Sequence, residues 1–254
     1  MPVKVLNAEG SGTSIEIDRG IKWAADHGAD IINLSLGFAS TGYRRSFRSA
    51  LFDAVAAKDI VVFAASGNSG LRNGEGNKWH FPSSYDNVIS VAATDSEGRL
   101  TGFSNRGAKV DIAAPGNNVL ATTYNGSYGR MSGTSMASPV AAGAYAVVLA
   151  AAKKGLTEAG RIEGFTAQSL VESAILGYAQ ISRRDVASGG VIDLKQMVEI
   201  ANEAYPVRQP IIPIVNPVDP VDPVDPVDPV DPVDPVDPVD PVDPVDPVDP
   251  VDPV

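Results

Sequence analysis

A serine inside a run of small residues, Gly133-Thr134-Ser135-Met136-Ala137-Ser138-Pro139, opens directly into a long apolar stretch. A hydroxyl on a tight turn at a helix N-terminus can attack a carbonyl, and the unpaired N–H groups of the first helical turn can hold the negative charge that develops. The same serine could instead cap the helix, because Ser is a favoured N-cap. Sixty-seven residues earlier, Ala64-Ala65-Ser66-Gly67-Asn68-Ser69-Gly70 closes the apolar run Ile60-Val61-Val62-Phe63. A carboxamide just past the end of a strand can donate a hydrogen bond to an oxyanion, although Gly-Asn-Ser-Gly is also a good turn sequence. A serine hydroxyl is a weak nucleophile at neutral pH and needs a base. The two histidines are His27 and His80. His27 ends a helical stretch, where a cation suits the helix dipole, and His80 lies in a predicted loop.

The elements that must carry these groups alternate between strand and helix. Strands are predicted at 3–7, 30–36, 60–65 and 88–93, with short ones at 111–113, 119–123 and 128–131. Helices are predicted at 15–27, 43–58, 135–152, 167–176 and 193–203. In the first helix Ile17, Ile21, Ala24 and Ala25 share a face, and residues 30–36 are expected to be buried on both sides. The helix after Ser135 is apolar or small almost all round and must be buried on most faces. This order argues an α/β domain with a parallel sheet. Ser66 and Asn68 then fall at the carboxyl end of a parallel strand, where such sheets place their sites.

The two segments together resemble the subtilisin-like serine peptidases. Ser135 matches the family's nucleophile and Asn68 its oxyanion donor. Three further stretches match in order: Val3-Lys4-Val5-Leu6 with Gly10-Ser11-Gly12, Asp30-Ile31-Ile32-Asn33-Leu34-Ser35-Leu36-Gly37, and Ala113-Ala114-Pro115-Gly116. The resemblance implies a three-layer α/β fold with a mainly parallel sheet and a buried helix after the nucleophile, spanning residues 1–205 and N-terminally incomplete. It implies an endopeptidase that forms an acyl-enzyme on Ser135, acting on a peptide or protein. Ser35, Leu36 and Gly37 would pair with an extended substrate, and Ala65, Ser66 and Gly67 would wall the pocket for the residue before the scissile bond. These walls imply a weak apolar preference, with His80 near the floor. Val140 stands where relatives commonly have a structural histidine.

The family's catalytic aspartate and histidine belong to segments upstream of Val3. The expectation is therefore that this polypeptide alone is nearly inert, or that a missing N-terminal segment is supplied in trans. Loss of the catalytic histidine costs roughly 10⁶ in turnover, a figure from subtilisin itself. Non-catalytic peptide binding, or a surface protein dominated by its acidic spacer, are the alternative readings. No cofactor is expected. Calcium is allowed in an intact domain of this kind, with a weak site near residues 83–88. Secretion or a cell-surface location is implied by the family, although no signal peptide is visible at Met1.

Composition separates the tail from the rest. From Val218 to Pro253 the triplet Val-Asp-Pro repeats twelve times, followed by Val254. Proline at every third position excludes helix and sheet interior, so residues 218–254 are expected to be extended and disordered, after a Pro-rich linker at 206–217. The repeat holds 12 of the 31 acidic residues and no basic ones, leaving 19 acidic and 20 basic side chains in residues 1–217. The net charge of −11 is thus a property of the tail. No basic cluster suggests nucleic acid as a partner. No run approaches the ~20 apolar residues of a membrane span, and the absence of cysteine excludes disulfides and thiolate metal sites.

Overall fold

Four parallel strands form the central sheet of the computed structural model. They are β1 (Ile31–Leu34), β3 (Val61–Ala65), β5 (Ile89–Thr94) and β6 (Ile112–Pro115), in the order β1-β3-β5-β6. The structure describes residues 1–41, 47–76, 78–159, 166–170, 185–187 and 190–204. The predicted linker at 206–217 and the repeat at 218–254 lie outside the described residues, as do residues 43–46 and 171–176 of two predicted helices.

Two helices cover one face of the sheet: α1 (Ser14–Asp26) and α2 (Phe47–Ala56). Ile21, Ala24, Phe52 and Val55 pack there with Ile32, Leu34, Val62 and Ala64. On the other face lies α3 (Thr134–Ala159), with α4 (Ala167–Leu170) and α5 (Leu194–Ala204). Ala137, Ala141, Tyr145, Val148 and Met197 pack there with Val61, Phe63, Val91 and Ile112. Alternate residues of β3 thus feed two cores, as the two-residue period of a strand requires, and the result is the three-layer α/β arrangement. α1 begins with a reciprocal cap: Thr13 Oγ1 accepts the Glu16 N–H at 3.3 Å, and the Glu16 carboxylate accepts the Thr13 N–H at 2.9 Å. His27 follows as its C-cap.

Five expectations are corrected. Residues 3–7 are not a strand, because no neighbouring strand supplies a ladder. Asn7 Oδ1 instead accepts the Glu9 and Ser11 N–H groups and turns the chain, and a cleft of about 600 Å³ separates residues 3–6 from β1. β1 is not buried on both sides, since it is the last strand of the sheet and exposes Asn33 while burying Ile32 and Leu34. Residues 77–82, expected as a loop, contain β4 (Trp79–Phe81), which pairs antiparallel with β2 (Phe38–Ser40). Finally, Thr134–Lys153 within α3 is long and apolar enough to cross a membrane by length and composition. The side that carries Ala137, Ala141, Tyr145 and Val148 packs against the sheet, while the side with Val147 is exposed, so the helix is not buried on most faces. A hairpin of β7 (Val119–Thr122) and β8 (Tyr128–Met131) leads into α3.

Candidate active site

Ser135 lies inside the first turn of α3, which starts at Thr134, and so does not occupy the N-cap. Gly133 takes that place, its carbonyl accepting the N–H groups of Met136 and Ala137 at 3.0 and 3.3 Å. The turn can form because Gly116 lacks a side chain. A methyl there would come within 2.8 Å of the Gly133 carbonyl and 2.9 Å of Ala137 Cβ. The N–H of Ser135 is one of the first-turn donors that an α-helix leaves without an internal partner.

Pro139 sits one turn further on and has no N–H to offer the Ser135 carbonyl. Ser35 replaces it: its hydroxyl donates to the Ser135 carbonyl at 2.8 Å. Asn33 extends the link, donating to Ser35 Oγ at 3.0 Å and accepting from Ser138 Oγ at 2.7 Å. The C-terminal end of β1 is thereby tied to the helix that carries Ser135.

Asn68 is fixed from one side only. Its Oδ1 accepts the Thr134 N–H at 2.8 Å and the Thr134 hydroxyl at 3.0 Å. With the oxygen consumed, the amide nitrogen is the end left to donate. Thr134 Oγ1 also accepts the Gly67 N–H at 3.1 Å, so one threonine joins the two segments. Asn68 and Ser135 line the same cavity of about 460 Å³, together with Ser35, Leu36, Gly37, Ala65, Gly67 and His80.

Ser66 does not line it. Its side chain is fully buried and its hydroxyl donates to the Asn105 carbonyl at 3.3 Å, so its expected place in the pocket wall is corrected. The alternation of the chain turns Ser66 inward while Ala65 and Gly67 face the cavity. The Ser66 carbonyl accepts from both Asn73 Nδ2 and Asn105 Nδ2, each at 2.9 Å. Asn105 Oδ1 accepts the N–H groups of Ser69 and Leu71 at 3.1 and 3.0 Å. Asn73 and Asn105, both buried, therefore shape the loop bearing Asn68. Sequence reasoning passed over both; a polar residue in each of two short turns gave no signal that they meet.

The histidines are placed differently from one another. His27 stacks on Trp23 with ring centroids 4.0 Å apart and does not line the cavity. His80 does line it, and burial pushes its pKa down to about 4. No hydrogen bond joins either ring to Ser135 among the described residues. Near residues 83–88, the Asp86 carboxylate pairs with Lys109 Nζ at 2.8 Å. No group of three or more His, Cys, Asp or Glu side chains that could hold a metal occurs among the described residues.

Residues 1–191 match the family model described as the Subtilase family. The chain is 45% identical over 149 residues to Subtilisin DY of Bacillus licheniformis, covering 58% of this chain and 52% of that relative. It is 41% identical over 146 residues to Subtilisin Savinase of Lederbergia lenta, covering 58% and 51%. The chain therefore spans about half the length of these relatives. Among solved structures it resembles the self-cleaved protease domain of PatA, with a TM-score of 0.67 and 26% identity over 79% of this chain and 73% of that one. It also resembles the prenylagaramide maturation protease PagA, with a TM-score of 0.64 and 26% identity over 77% and 70%. With a match over three quarters of its length and a serine-bearing helix start set against a parallel sheet, the chain belongs to the subtilase family of serine peptidases.

Proposed function

We propose that this chain carries the nucleophile and oxyanion half of a serine endopeptidase. Ser135 Oγ attacks the peptide carbonyl, forming a C–O bond and giving its proton to a base. Asn68 Nδ2 and the Ser135 N–H hold the oxyanion. The amine leaves with a proton, and water then hydrolyses the ester on Ser135. Residues 35–37 offer backbone groups to an extended peptide, which adds as a strand. The observation that carries this reading is the double acceptance by Asn68 Oδ1 of the Thr134 N–H and hydroxyl, which leaves the amide nitrogen for the cavity shared with Ser135.

The base and its orienting carboxylate come from a polypeptide segment beyond these residues. The cleft of about 600 Å³ between residues 3–6 and the free edge of β1 is where that segment would dock. In this reading the isolated chain is nearly inert, and the complete protein acts outside the cell or at its surface. A fluorophosphonate probe tests it. The chain alone should label negligibly; co-expression with the N-terminal segment of Subtilisin DY should give labelling at Ser135 that is lost in Ser135→Ala. Rapid labelling of the chain alone would reveal a base within it and overturn the division of labour.

Non-catalytic peptide binding is a second reading, favoured by the placement of both histidines away from hydrogen-bonding distance of Ser135. It predicts peptide binding without labelling even when the N-terminal segment is supplied.

A further inference from the structure

We propose that the His80 imidazole occupies the slot for the side chain preceding the scissile bond, so that the site takes a small residue there, such as alanine, serine or glycine. This rests on the peptidase reading above, in which residues 35–37 and 65–67 are the two walls of that slot.

The geometry is set by a strand pair. β4 runs antiparallel to β2 with His80 opposite Ala39 and Phe81 opposite Phe38. This brings His80 beside the wall at 35–37 from below. Its ring then spans to the opposite wall. A methyl built on Gly37 would lie 2.3 Å from His80 Cε1, and one built on Gly67 would lie 2.7 Å from His80 Cδ2. Real contacts are never so close, so the ring already fills the space between the two glycines, and only glycine at both positions admits it. Each wall touches a different edge of the same imidazole.

The ring is also held in place. The His80 N–H donates to Ser84 Oγ at 3.2 Å, and the His80 carbonyl accepts from Ser83 Oγ at 2.8 Å and the Ser84 N–H at 2.9 Å. His80 Nδ1 lies 3.3 Å from Ser83 Oγ. Burial holds the pKa near 4, outweighing the pull of the Ala65 backbone on the protonated ring, so the ring is uncharged at neutral pH. An uncharged ring between two backbone walls acts as a plug and offers no cation to an acidic substrate side chain.

The test uses the full chain, in which binding does not require turnover. Two N-acetylated tetrapeptide acids differing only in the last residue, alanine or phenylalanine, are titrated while the Asn68 side-chain amide and Ser135 backbone amide are followed by NMR. The alanine peptide should bind roughly tenfold or more tighter than the phenylalanine peptide, and His80→Gly should shrink that ratio by roughly tenfold or more. His80→Ala provides the same comparison should the glycine variant misfold, and the ratio in the unmodified chain is informative without either. Equal binding of the two peptides to the unmodified chain, or a ratio that folded variants leave unchanged, overturns the plug while leaving the peptide site standing. Titrations in which neither peptide moves the Asn68 or Ser135 signals overturn the peptidase reading and the plug with it.

Discussion

Thr134 joins the two segments of the site. Its N–H and hydroxyl both donate to Asn68 Oδ1, and its Oγ1 accepts from Gly67. Thr134→Val keeps the shape and removes the hydroxyl, leaving the buried Gly67 N–H without its acceptor. The variant should lose about 1–3 kcal/mol of stability, read as a lower midpoint in denaturant titration at constant slope. In a domain completed with an N-terminal segment, Asn68→Ala should lower the rate of Ser135 acylation by about 10²–10³, the magnitude found for the oxyanion amide of subtilisin, a relative of this chain. Stopped-flow acylation by a chromogenic ester would measure it. The residue types at 68 and 135 were readable in the sequence because each sits at the seam of an apolar run. The orientation of the amide was not, because it depends on a hydrogen bond between residues 66 positions apart.

At the scale of elements, the site depends on loops braced by polar side chains as well as by backbone bonds such as that from the Asn105 N–H to the Gly67 carbonyl at 2.9 Å. Asn105 alone serves Ser66, Asn73, Ser69 and Leu71. Asn105→Ala should leave the buried Asn73 Oδ1 and the part-buried N–H groups of Ser69 and Leu71 without this partner, while the Ser66 carbonyl keeps Asn73 Nδ2. It should cost about 3 kcal/mol, given about 1–3 kcal/mol for a fully buried orphaned group. Thermal melting would show the loss, and hydrogen exchange should localise the loosening to residues 66–73. Ser35→Ala should cost only about 1 kcal/mol, since the Ser135 carbonyl it abandons lies in an open site that water can reach. The buried strands and the starts of α1, α3, α4 and α5 were predicted to within two residues, because periodicity is a local property of the chain, although α3 runs seven residues beyond its predicted end. β2 and β4 were not, because each is three residues long and acquires its strand character only from the other.

For the whole molecule, two buried groups make opposing demands on pH. Burial lowers the His80 pKa from 6.5 to about 4, so between those values the unfolded chain binds the extra proton and stability falls as pH falls. Burial raises the Asp111 pKa from 3.8 to about 6, against the Ser90 N–H that its carboxylate accepts at 2.7 Å. Here the folded chain binds the extra proton, and stability rises as pH falls from 6 towards 4. Each effect is worth roughly 3 kcal/mol, and together they nearly cancel. His80→Gln should therefore make the protein more stable at pH 4.5 than at pH 6.5, and Asp111→Asn should do the reverse. Chemical denaturation at the two pH values would show both signs, and equal midpoints in either variant would contradict the assignment.

The sequence by itself determined the alternation of strand and helix, the separation of a charged repeat from a nearly neutral remainder, and the two motifs at Asn68 and Ser135. All of these are written in runs of a few neighbouring residues, where propensity and periodicity act. Tertiary structure decided which groups meet: Ser35 at the carbonyl freed by Pro139, Ser66 turned away from the cavity it was expected to wall, and the His80 ring lodged between Gly37 and Gly67. Those pairings join residues far apart in the chain. They follow from how the layers pack and from the need to satisfy each buried polar group, a demand met only once the whole domain has folded.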